Sequence, residues 1–192
     1  GPQKTHGGRI GPPRADLSGG LSEAAASLDG SYLFVQGPPG SGKTWLGARA
    51  ALGLMRQGQR VGVTSLSHKA IHKFLEDLRD AAREARETFT GRKKCSDDPA
   101  TQYEDEFVDC SSSNDDLLDE GLQLVAGTSF LFSREELDGH VATLFVDEAG
   151  QVALADVLAV GTAARNVVLL GDPNQLAQVS QGSHPPGAEA SV

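Results

Sequence analysis

The sequence predicts an α/β fold in which a parallel sheet is flanked by helices on both faces. Short apolar segments alternate with longer helix-like segments along most of the chain. The apolar segments are continuous and do not alternate with polar residues, which is typical of strands buried on both faces. Glycine-rich or polar segments follow several of these strands, at the edge where parallel sheets bind ligands.

The individual elements follow from local patterns. Five apolar runs predict five strands, at 31–36, 60–65, 122–126, 141–146 and 166–170. Apolar residues spaced three and four apart predict helices at 21–28, 43–57, 68–88 and 152–164, with a helical turn at 134–138. Gly58 is a suitable stop for the second helix. Ser67 is a suitable N-cap for the third helix, because its hydroxyl can accept a hydrogen bond from a free backbone N–H.

Size and composition are those of one folded domain. The chain has 192 residues and is 39% hydrophobic, which suffices for a buried core. No apolar run approaches the length that spans a membrane and no signal peptide is visible, so we expect a cytoplasmic protein without a membrane partner. We expect Cys95 and Cys110 to be free thiols, and Trp45 to pack in the core.

The net charge of −9 is concentrated in one segment. Ten acidic residues and no Lys or Arg lie between Cys95 and Glu120, and the rest of the chain is close to neutral. The acidity therefore neither excludes nor supports a nucleic-acid partner elsewhere. We expect residues 90–120 to form a mobile, solvated loop. An autoinhibitory segment that mimics nucleic acid is the alternative.

The segment 37–44, GPPGSGKT, fits the phosphate-binding loop G-x-x-x-x-G-K-[ST] between a strand and a helix. Backbone N–H groups in such a loop surround an anion, and the helix dipole adds to the attraction. Because prolines lack an N–H, we expect the binding amides to belong to the five residues after them. The nucleotide-binding residues predicted are Gly37, Gly40, Ser41, Gly42, Lys43 and Thr44. Lys43 would contact the β- and γ-phosphates of ATP, and the Thr44 hydroxyl would bind Mg²⁺.

Two adjacent carboxylates end the fourth predicted strand. Asp147 is placed to complete the Mg²⁺ site, and Glu148 to polarise the attacking water. A polar turn, GDPNQL, follows the fifth predicted strand, and its Gln175 could hydrogen-bond the γ-phosphate or that water. With Lys43, these residues form the candidate catalytic set Lys43, Glu148 and Gln175.

Four segments together resemble the superfamily 1 helicases. In chain order they are GPPGSGKT, VTSLSHKAI, DEAGQ and GDPNQLAQV, which look like motifs I, Ia, II and III. The DEAGQ form is similar to the 1B-like branch that includes the helicase part of bacterial RecB-like nuclease–helicase fusions. The resemblance implies a RecA-like P-loop NTPase that uses ATP and Mg²⁺ to move along single-stranded DNA or RNA, with 5′ to 3′ polarity.

By the same resemblance, motif Ia would contact the nucleic-acid backbone through hydroxyls, amides and one cation. The implied residues are Thr64, Ser65, Ser67, His68 and Lys69, together with Thr128 after the third predicted strand. A helix cap with solvated neighbours is the plainer interpretation, and the two are compatible. His68 and His72 lie one helical turn apart, and we expect a surface pair because no third metal ligand is apparent.

The resemblance also gives the domain organisation. We expect an irregular N-terminal arm at 1–30, a RecA-like ATPase domain at 31–180 with the acidic insertion 90–120, and a tail at 181–192. The second RecA-like domain of the family, with its arginine fingers, would follow. Without it we expect slow hydrolysis and no unwinding, because removing an arginine finger costs on the order of 10³–10⁵ in rate.

Two other functions stay open from the sequence. A nucleotide-gated switch or scaffold would use the same phosphate loop without motor activity, and the low basicity of the chain favours it. The other is a motor that serves a fused or partner nuclease, although none of these residues would carry out nuclease chemistry.

Overall fold

The computed structural model describes residues 17–172, and side chains from residue 19 onwards. Within this described part of the chain, seven parallel strands form one sheet in the order β1-β7-β6-β2-β5-β3-β4. The strands are β1 (Tyr32–Gln36), β2 (Val61–Thr64), β3 (Gly91–Lys94), β4 (Val108–Ser111), β5 (Leu124–Ala126), β6 (Val141–Asp147) and β7 (Ala164–Gly171). The predicted α/β class with a parallel sheet is confirmed.

Among residues 17–172, five α-helices connect or cover these strands. They are α1 (Leu17–Ala26), α2 (Lys43–Arg56), α3 (His68–Ala85), α4 (Ser129–Phe132) and α5 (Leu154–Gly161). The predicted helical turn is present as a 3₁₀ turn at Glu135–Leu137. Ser67 caps α3 as predicted, since its hydroxyl accepts a hydrogen bond from the N–H of Ala70 at 3.1 Å. No helix among residues 17–172 is long and apolar enough to cross a membrane.

The sheet separates two apolar layers. Side chains of β6 alternate between them: Phe145 joins the layer under α1, α2 and α3, whereas Leu144 and Val146 join the layer under α4 and α5. All three side chains are almost fully buried. The strands are therefore buried on both faces, as their continuous apolar runs predict.

The parallel register brings the polar segments to one edge. Gln36 of β1 pairs with Gly171 of β7, and Asp147 of β6 pairs with Leu170. Thr64 of β2 pairs with Val146. The carboxyl ends of β1, β7, β6 and β2 thus lie side by side, and the segments that follow them share this edge.

The expectation of a mobile loop at 90–120 is wrong. This segment contains β3 and β4, which extend the sheet beyond β5, and two 3₁₀ turns at Pro99–Thr101 and Asp115–Leu118. The strands lack an apolar run because they are short and lie at one end of the sheet, where polar residues are tolerated. Buried Gly91 and Lys93 alternate in β3 with partly exposed residues, so only half of the strand faces apolar neighbours.

The cysteines are not free thiols, contrary to expectation. Cys95 and Cys110 form a disulfide, with their Cα atoms 5.8 Å apart. Strand pairing explains it, because Cys110 of β4 lies opposite Lys93 and Cys95 follows one residue after the end of β3. The sequence shows two cysteines in a polar segment, and only the pairing of β3 with β4 brings them together.

The sequence predicted that Trp45 packs in the core, and this prediction is wrong. Its side chain lies in the first turn of α2 and is 45% exposed. The guanidinium carbon of Arg49 lies 3.6 Å from the ring centroid, a cation–π arrangement one helical turn further on. The core face of α2 is instead formed by small residues such as Ala48 and Ala51 and by Leu54.

Candidate nucleotide-binding site

The phosphate loop connects β1 to α2 in the geometry that the motif requires. Gly40 and Gly42 have positive φ angles of 73° and 81°, which glycine adopts without strain. The loop closes with a hydrogen bond from the N–H of Ser41 to the carbonyl of Pro38 at 3.2 Å. Helix α2 begins at Lys43 directly after Gly42. The loop therefore leads into the amino terminus of a 14-residue helix, where backbone N–H groups and the helix dipole attract an anion.

Lys43 is folded over the loop. Its Nζ donates to the carbonyl oxygens of Gly37 at 2.6 Å and Pro38 at 2.9 Å, and lies 3.5 Å from the Ser41 hydroxyl. The ammonium is thus held above the loop by neutral acceptors, without a carboxylate partner among the described side chains. A phosphate is a stronger acceptor than a carbonyl because it is charged, so this lysine can exchange these contacts for an anionic ligand.

Thr44 joins the loop to the end of β6. Its hydroxyl donates to Oδ2 of Asp147 at 3.0 Å. The two residues are 103 positions apart in sequence, and the alignment of β1, β7 and β6 brings them together. The structure therefore places the two predicted metal-binding residues in direct contact.

Asp147 is a buried carboxylate with few compensating contacts. Its side chain is 5% exposed, and burial raises its pKa above the usual range for an aspartate. Hydrogen bonds from the Thr44 hydroxyl and from the N–H of Glu148, at 3.0 Å to Oδ1, act in the opposite direction. A buried carboxylate beside a hydroxyl is a hard oxygen donor pair, which fits Mg²⁺. Mg²⁺ commonly keeps waters and substrate phosphates as its other ligands, so two protein ligands suffice.

Glu148 follows in an unusual backbone conformation, with φ 57° and ψ 32°. This left-handed region is uncommon for residues other than glycine. The Glu148 carboxylate is partly exposed, and its Oε2 lies 3.4 Å from the hydroxyl of Ser65. Ser65 also donates to the main-chain carbonyl of Asp147 at 3.1 Å. The turn after β2 is thereby bonded to both acidic residues.

The predicted nucleic-acid residues fall into two groups. Thr64 and Ser65 are buried, at 2% and 3% exposure, and the Thr64 hydroxyl has no hydrogen-bond partner among residues 19–172. Ser67 and Lys69 are exposed at the start of α3, and His68 is half-buried. Only the second group presents side chains to solvent.

Thr128 and Gln175 are the two remaining residues that the sequence predicted for the site. Thr128 is partly exposed at the start of α4, after β5, and its hydroxyl does not cap that short helix. It therefore lies at the same sheet edge, one strand beyond β2. Gln175 lies outside the described residues, and so does the tail at 181–192.

Lys93 is a buried lysine that the sequence pattern did not predict. Lys93 is fully buried and donates to the main-chain carbonyl oxygens of Lys94 and Thr101, and its Nζ lies 3.2 Å from Nδ1 of His68. Burial lowers the pKa of Lys93 to about 8. His68 and His72 are consequently half-buried neighbours of a cation, not an exposed surface pair, and burial lowers the pKa of each. The sequence of β3, GRKK, does not predict that Lys93 is buried, because three of its four residues are basic.

A family model described as an AAA domain matches residues 20–185. The chain belongs to this AAA domain family. The match covers both the phosphate loop and the acidic pair Asp147 and Glu148 at the end of β6. A comparison with curated proteins finds no match.

The fold of this AAA domain is similar to that of two solved structures. One is the helicase nonstructural protein 10 of an arterivirus in complex with DNA, with a TM-score of 0.54 and 20% identity, over 88% of this chain and 35% of that chain. The other is a nuclease-deletion mutant of the Type ISP restriction-modification enzyme LlaGI in complex with a DNA substrate mimic. Its TM-score is 0.56 at 15% identity, over 88% of this chain and 19% of that chain.

These similarities establish the fold. The AAA domain has the predicted RecA-like P-loop architecture, a parallel sheet flanked by helices with the phosphate loop after β1. The chain spans about a third of the arterivirus helicase chain and about a fifth of the LlaGI chain.

Proposed function

We propose that this AAA domain is the first motor domain of a superfamily 1 helicase, which couples ATP hydrolysis to movement along single-stranded DNA or RNA. The contact between Thr44 and Asp147 is the observation that carries the proposal. It joins a phosphate-binding loop to a buried carboxylate, and a second carboxylate follows one residue later. This is the arrangement needed to bind a metal-bound triphosphate and to activate water against it.

Each residue of the site has a distinct part in the proposed reaction. The amides of residues 40–44 and the Lys43 ammonium bind the phosphates of ATP. Thr44 and Asp147 would hold Mg²⁺, which when bound neutralises phosphate charge. Glu148 orients and polarises the attacking water, for which a partly exposed carboxylate at the end of β6 is suited. Gln175 is proposed to sense the γ-phosphate.

The nucleic-acid track is proposed to follow the carboxyl edge of the sheet. Ser67, His68 and Lys69 at the start of α3 offer a hydroxyl, an imidazole and a cation, and free backbone N–H groups lie at the same helix start. Thr128 lies at the end of the neighbouring strand β5. Thr64 and Ser65 are buried, so they would contribute through the backbone of the turn. Both structural neighbours were solved with DNA or a DNA mimic, which supports a nucleic-acid partner.

ATP hydrolysis by the full-length protein, with and without single-stranded DNA or RNA, tests the proposal. We expect one nucleic acid to stimulate hydrolysis strongly, and Glu148→Gln to lower the stimulated rate by about 10²–10⁴. Glu135→Gln, which neutralises an exposed carboxylate in the 3₁₀ turn 135–137, is the matched control and should hydrolyse normally.

Hydrolysis that is indifferent to both nucleic acids would contradict the motor. Combined with a structural change on ATP binding, that result would favour the nucleotide-gated switch, which the low basicity of the chain also favours. Stimulation that requires a co-purifying nuclease would favour the partner-nuclease role. The nuclease-deletion mutant among the structural neighbours is the observation behind this third function.

A further inference from the structure

Lys93 connects the disulfide to the start of α3. Its side chain is fully buried, and its Nζ lies 3.9 Å from Sγ of Cys95 and 3.2 Å from Nδ1 of His68. It also donates to the main-chain carbonyl oxygen of Thr101. Thr101 lies inside the loop that the bond between Cys95 and Cys110 closes. One ammonium group therefore contacts a disulfide sulfur, the closed loop and the first residue of α3.

The contact with Lys93 sets the hydrogen-bonding state of His68. An ammonium is a donor only, so Nδ1 of His68 must accept, and the proton of the neutral ring is then on Nε2. Burial and the Lys93 charge lower the pKa of His68, which keeps the ring neutral near about pH 7. In this form Nε2–H is a donor, and the proposed contact with a nucleic-acid phosphate requires a donor.

The disulfide is placed for reduction from the Cys110 side. Cys110 is partly exposed, whereas Cys95 is 5% exposed. A reductant thiolate would attack Sγ of Cys110 and form a mixed disulfide there, while the original bond breaks and Cys95 leaves as a thiolate. A second reductant thiolate would then release Cys110, so the two electrons come from the reductant, which becomes a disulfide. The Lys93 ammonium beside Cys95 stabilises the leaving thiolate and so favours this cleavage.

We propose that the disulfide between Cys95 and Cys110 is a redox switch for nucleic-acid binding, in which Lys93 exchanges His68 for the Cys95 thiolate. The inference rests on the proposed function. A thiolate is a charged acceptor and attracts an ammonium more strongly than a neutral imidazole does. In the reduced form His68 therefore loses the donor that fixes its tautomer and orientation. The loop that carries Thr101 is also no longer closed, so the oxidised form is the one that binds nucleic acid more tightly.

The size of the effect follows from the single contact that is lost. We expect the reduced protein to bind single-stranded nucleic acid about fivefold more weakly than the oxidised protein, which corresponds to one ordinary hydrogen bond. The affinity for Mg-ATP should stay within about twofold, because the described contacts of Lys93 involve β3, the closed loop and α3, not the phosphate loop.

The test compares four forms of the full-length protein, each before and after reduction with dithiothreitol: wild type, Cys110→Ser, Lys93→Met and Glu106→Gln. Cys110→Ser leaves the Cys95 thiol beside Lys93 and should bind like reduced wild type under both conditions. Lys93→Met should do the same. Glu106→Gln is the matched control, because it removes an exposed ion pair with Arg83 from the same closed loop and should keep the full wild-type response.

Binding is measured with fluorescently labelled single-stranded oligonucleotides of DNA and of RNA, and Mg-ATP binding is measured beside it. Mass spectrometry of the peptides that contain Cys95 and Cys110 verifies the redox state of each sample. Urea unfolding verifies that each form is folded under the conditions of the binding measurement.

The rate of reduction distinguishes the thiolate contact from a general loosening of the loop. Lys93→Met removes the ammonium, so dithiothreitol should reduce its disulfide about fivefold more slowly than that of wild type. The measurement is made at about pH 7, where Lys93, with a pKa of about 8, is charged. A general loss of stability would have the opposite effect, because a loop that opens more often exposes its disulfide more often. Glu106→Gln should be reduced at the wild-type rate.

The outcomes separate this inference from the proposed function. Weaker nucleic-acid binding by reduced wild type, with no redox response in Cys110→Ser and Lys93→Met and unchanged Mg-ATP affinity, would support the switch. Wild type whose nucleic-acid affinity is unchanged or tighter after reduction would overturn it and leave the proposed function standing. The same holds if Lys93→Met keeps the wild-type response or is reduced at the wild-type rate. Wild type that binds no nucleic acid in either redox state would overturn the proposed function and this inference together.

Discussion

The hydroxyl of Thr44 lies 3.0 Å from Oδ2 of Asp147 and donates to it. The contact joins the second residue of α2 to the last residue of β6. In the sheet, β7 lies between β6 and β1, the strand that leads into the phosphate loop. The contact fixes the distance between the phosphate loop and the acidic pair, and so defines where a metal-bound phosphate can lie.

Thr44→Val therefore tests the metal site. Valine keeps the shape of threonine but removes the oxygen, so the buried Asp147 carboxylate loses a donor and Mg²⁺ would lose a ligand. We expect the gain in ATP affinity on adding Mg²⁺ to fall at least about tenfold, measured by titration of a fluorescent ATP analogue. Thr44→Ser, which keeps the hydroxyl, should behave like wild type. An unchanged Mg²⁺ effect in Thr44→Val would mean that the metal is bound elsewhere.

A substitution at Gly150 tests how closely the turn after β6 approaches the residue that follows β7. A methyl group at Gly150 would collide with the main-chain carbonyl oxygen of Asp172, which cannot move as a flexible side chain can. We expect Gly150→Ala to destabilise the fold by about 2 kcal/mol or more in urea unfolding, as overpacking does. Gly161→Ala is the control, because nothing lies within 4 Å of a methyl group there. Equal stability of the two variants would refute the close approach.

The disulfide joins β3 to β4 in the segment expected to be a loop. It closes a loop with a sequence separation of 15, so its removal should cost about 3 kcal/mol through the entropy of the unfolded chain. Urea unfolding of wild type with and without a thiol reductant measures this, and Cys95→Ser combined with Cys110→Ser should remove the response to reductant. Two reactive thiols in the unreduced folded protein would contradict the disulfide.

The burial of Lys93 predicts a specific dependence of the free energy of unfolding on pH. Burial lowers its pKa to about 8 in the folded state, whereas an unfolded lysine titrates near about 10.4. Above about pH 8 the unfolded chain holds more protons at this site, so stability rises with pH. The rise should reach about 2 kcal/mol between about pH 8 and pH 9.5. Lys93→Met keeps an apolar stem of similar length and should remove this rise in urea unfolding series.

Wild type and Lys93→Met with parallel stability curves over this range would show that the Lys93 ammonium is not buried. The range stops below the region where Tyr103 contributes. Burial, aided by the nearby Asp105 carboxylate, raises the pKa of that phenol. Its effect on stability would therefore have the opposite sign above about pH 10.

Sequence patterns anticipated the central part of the fold because its strands carry strong local signals. The segments 32–36 and 141–147 are apolar runs that end in functional residues, and parallel pairing then brings their ends together. The residues of the phosphate loop and the acidic pair follow from a motif whose backbone geometry requires those residue types. The sequence predicted that Thr44 and Asp147 share a Mg²⁺ site, and in the structure their side chains lie in direct contact.

The rest depends on long-range pairing that no local pattern encodes. In β3 the sequence GRKK has no apolar run, and the burial of Lys93 depends on the carbonyl of Thr101 and on His68 from α3. The disulfide likewise requires β4 to lie beside β3. Ser65 looks like part of a surface motif, whereas its hydroxyl faces the acidic pair because β2 and β6 are neighbours.

Binding of ATP to the 192-residue chain, with and without Mg²⁺ and beside Lys43→Ala, tests the central claim most directly. Lys43 contacts only loop oxygens in the described structure, so its removal should leave the fold intact and weaken nucleotide binding at least about tenfold. The account predicts that wild type binds Mg-ATP more tightly than ATP alone and that Lys43→Ala binds neither well. Equal affinity of the folded Lys43→Ala variant for Mg-ATP would contradict the assignment of this loop and its acidic partners as the nucleotide site.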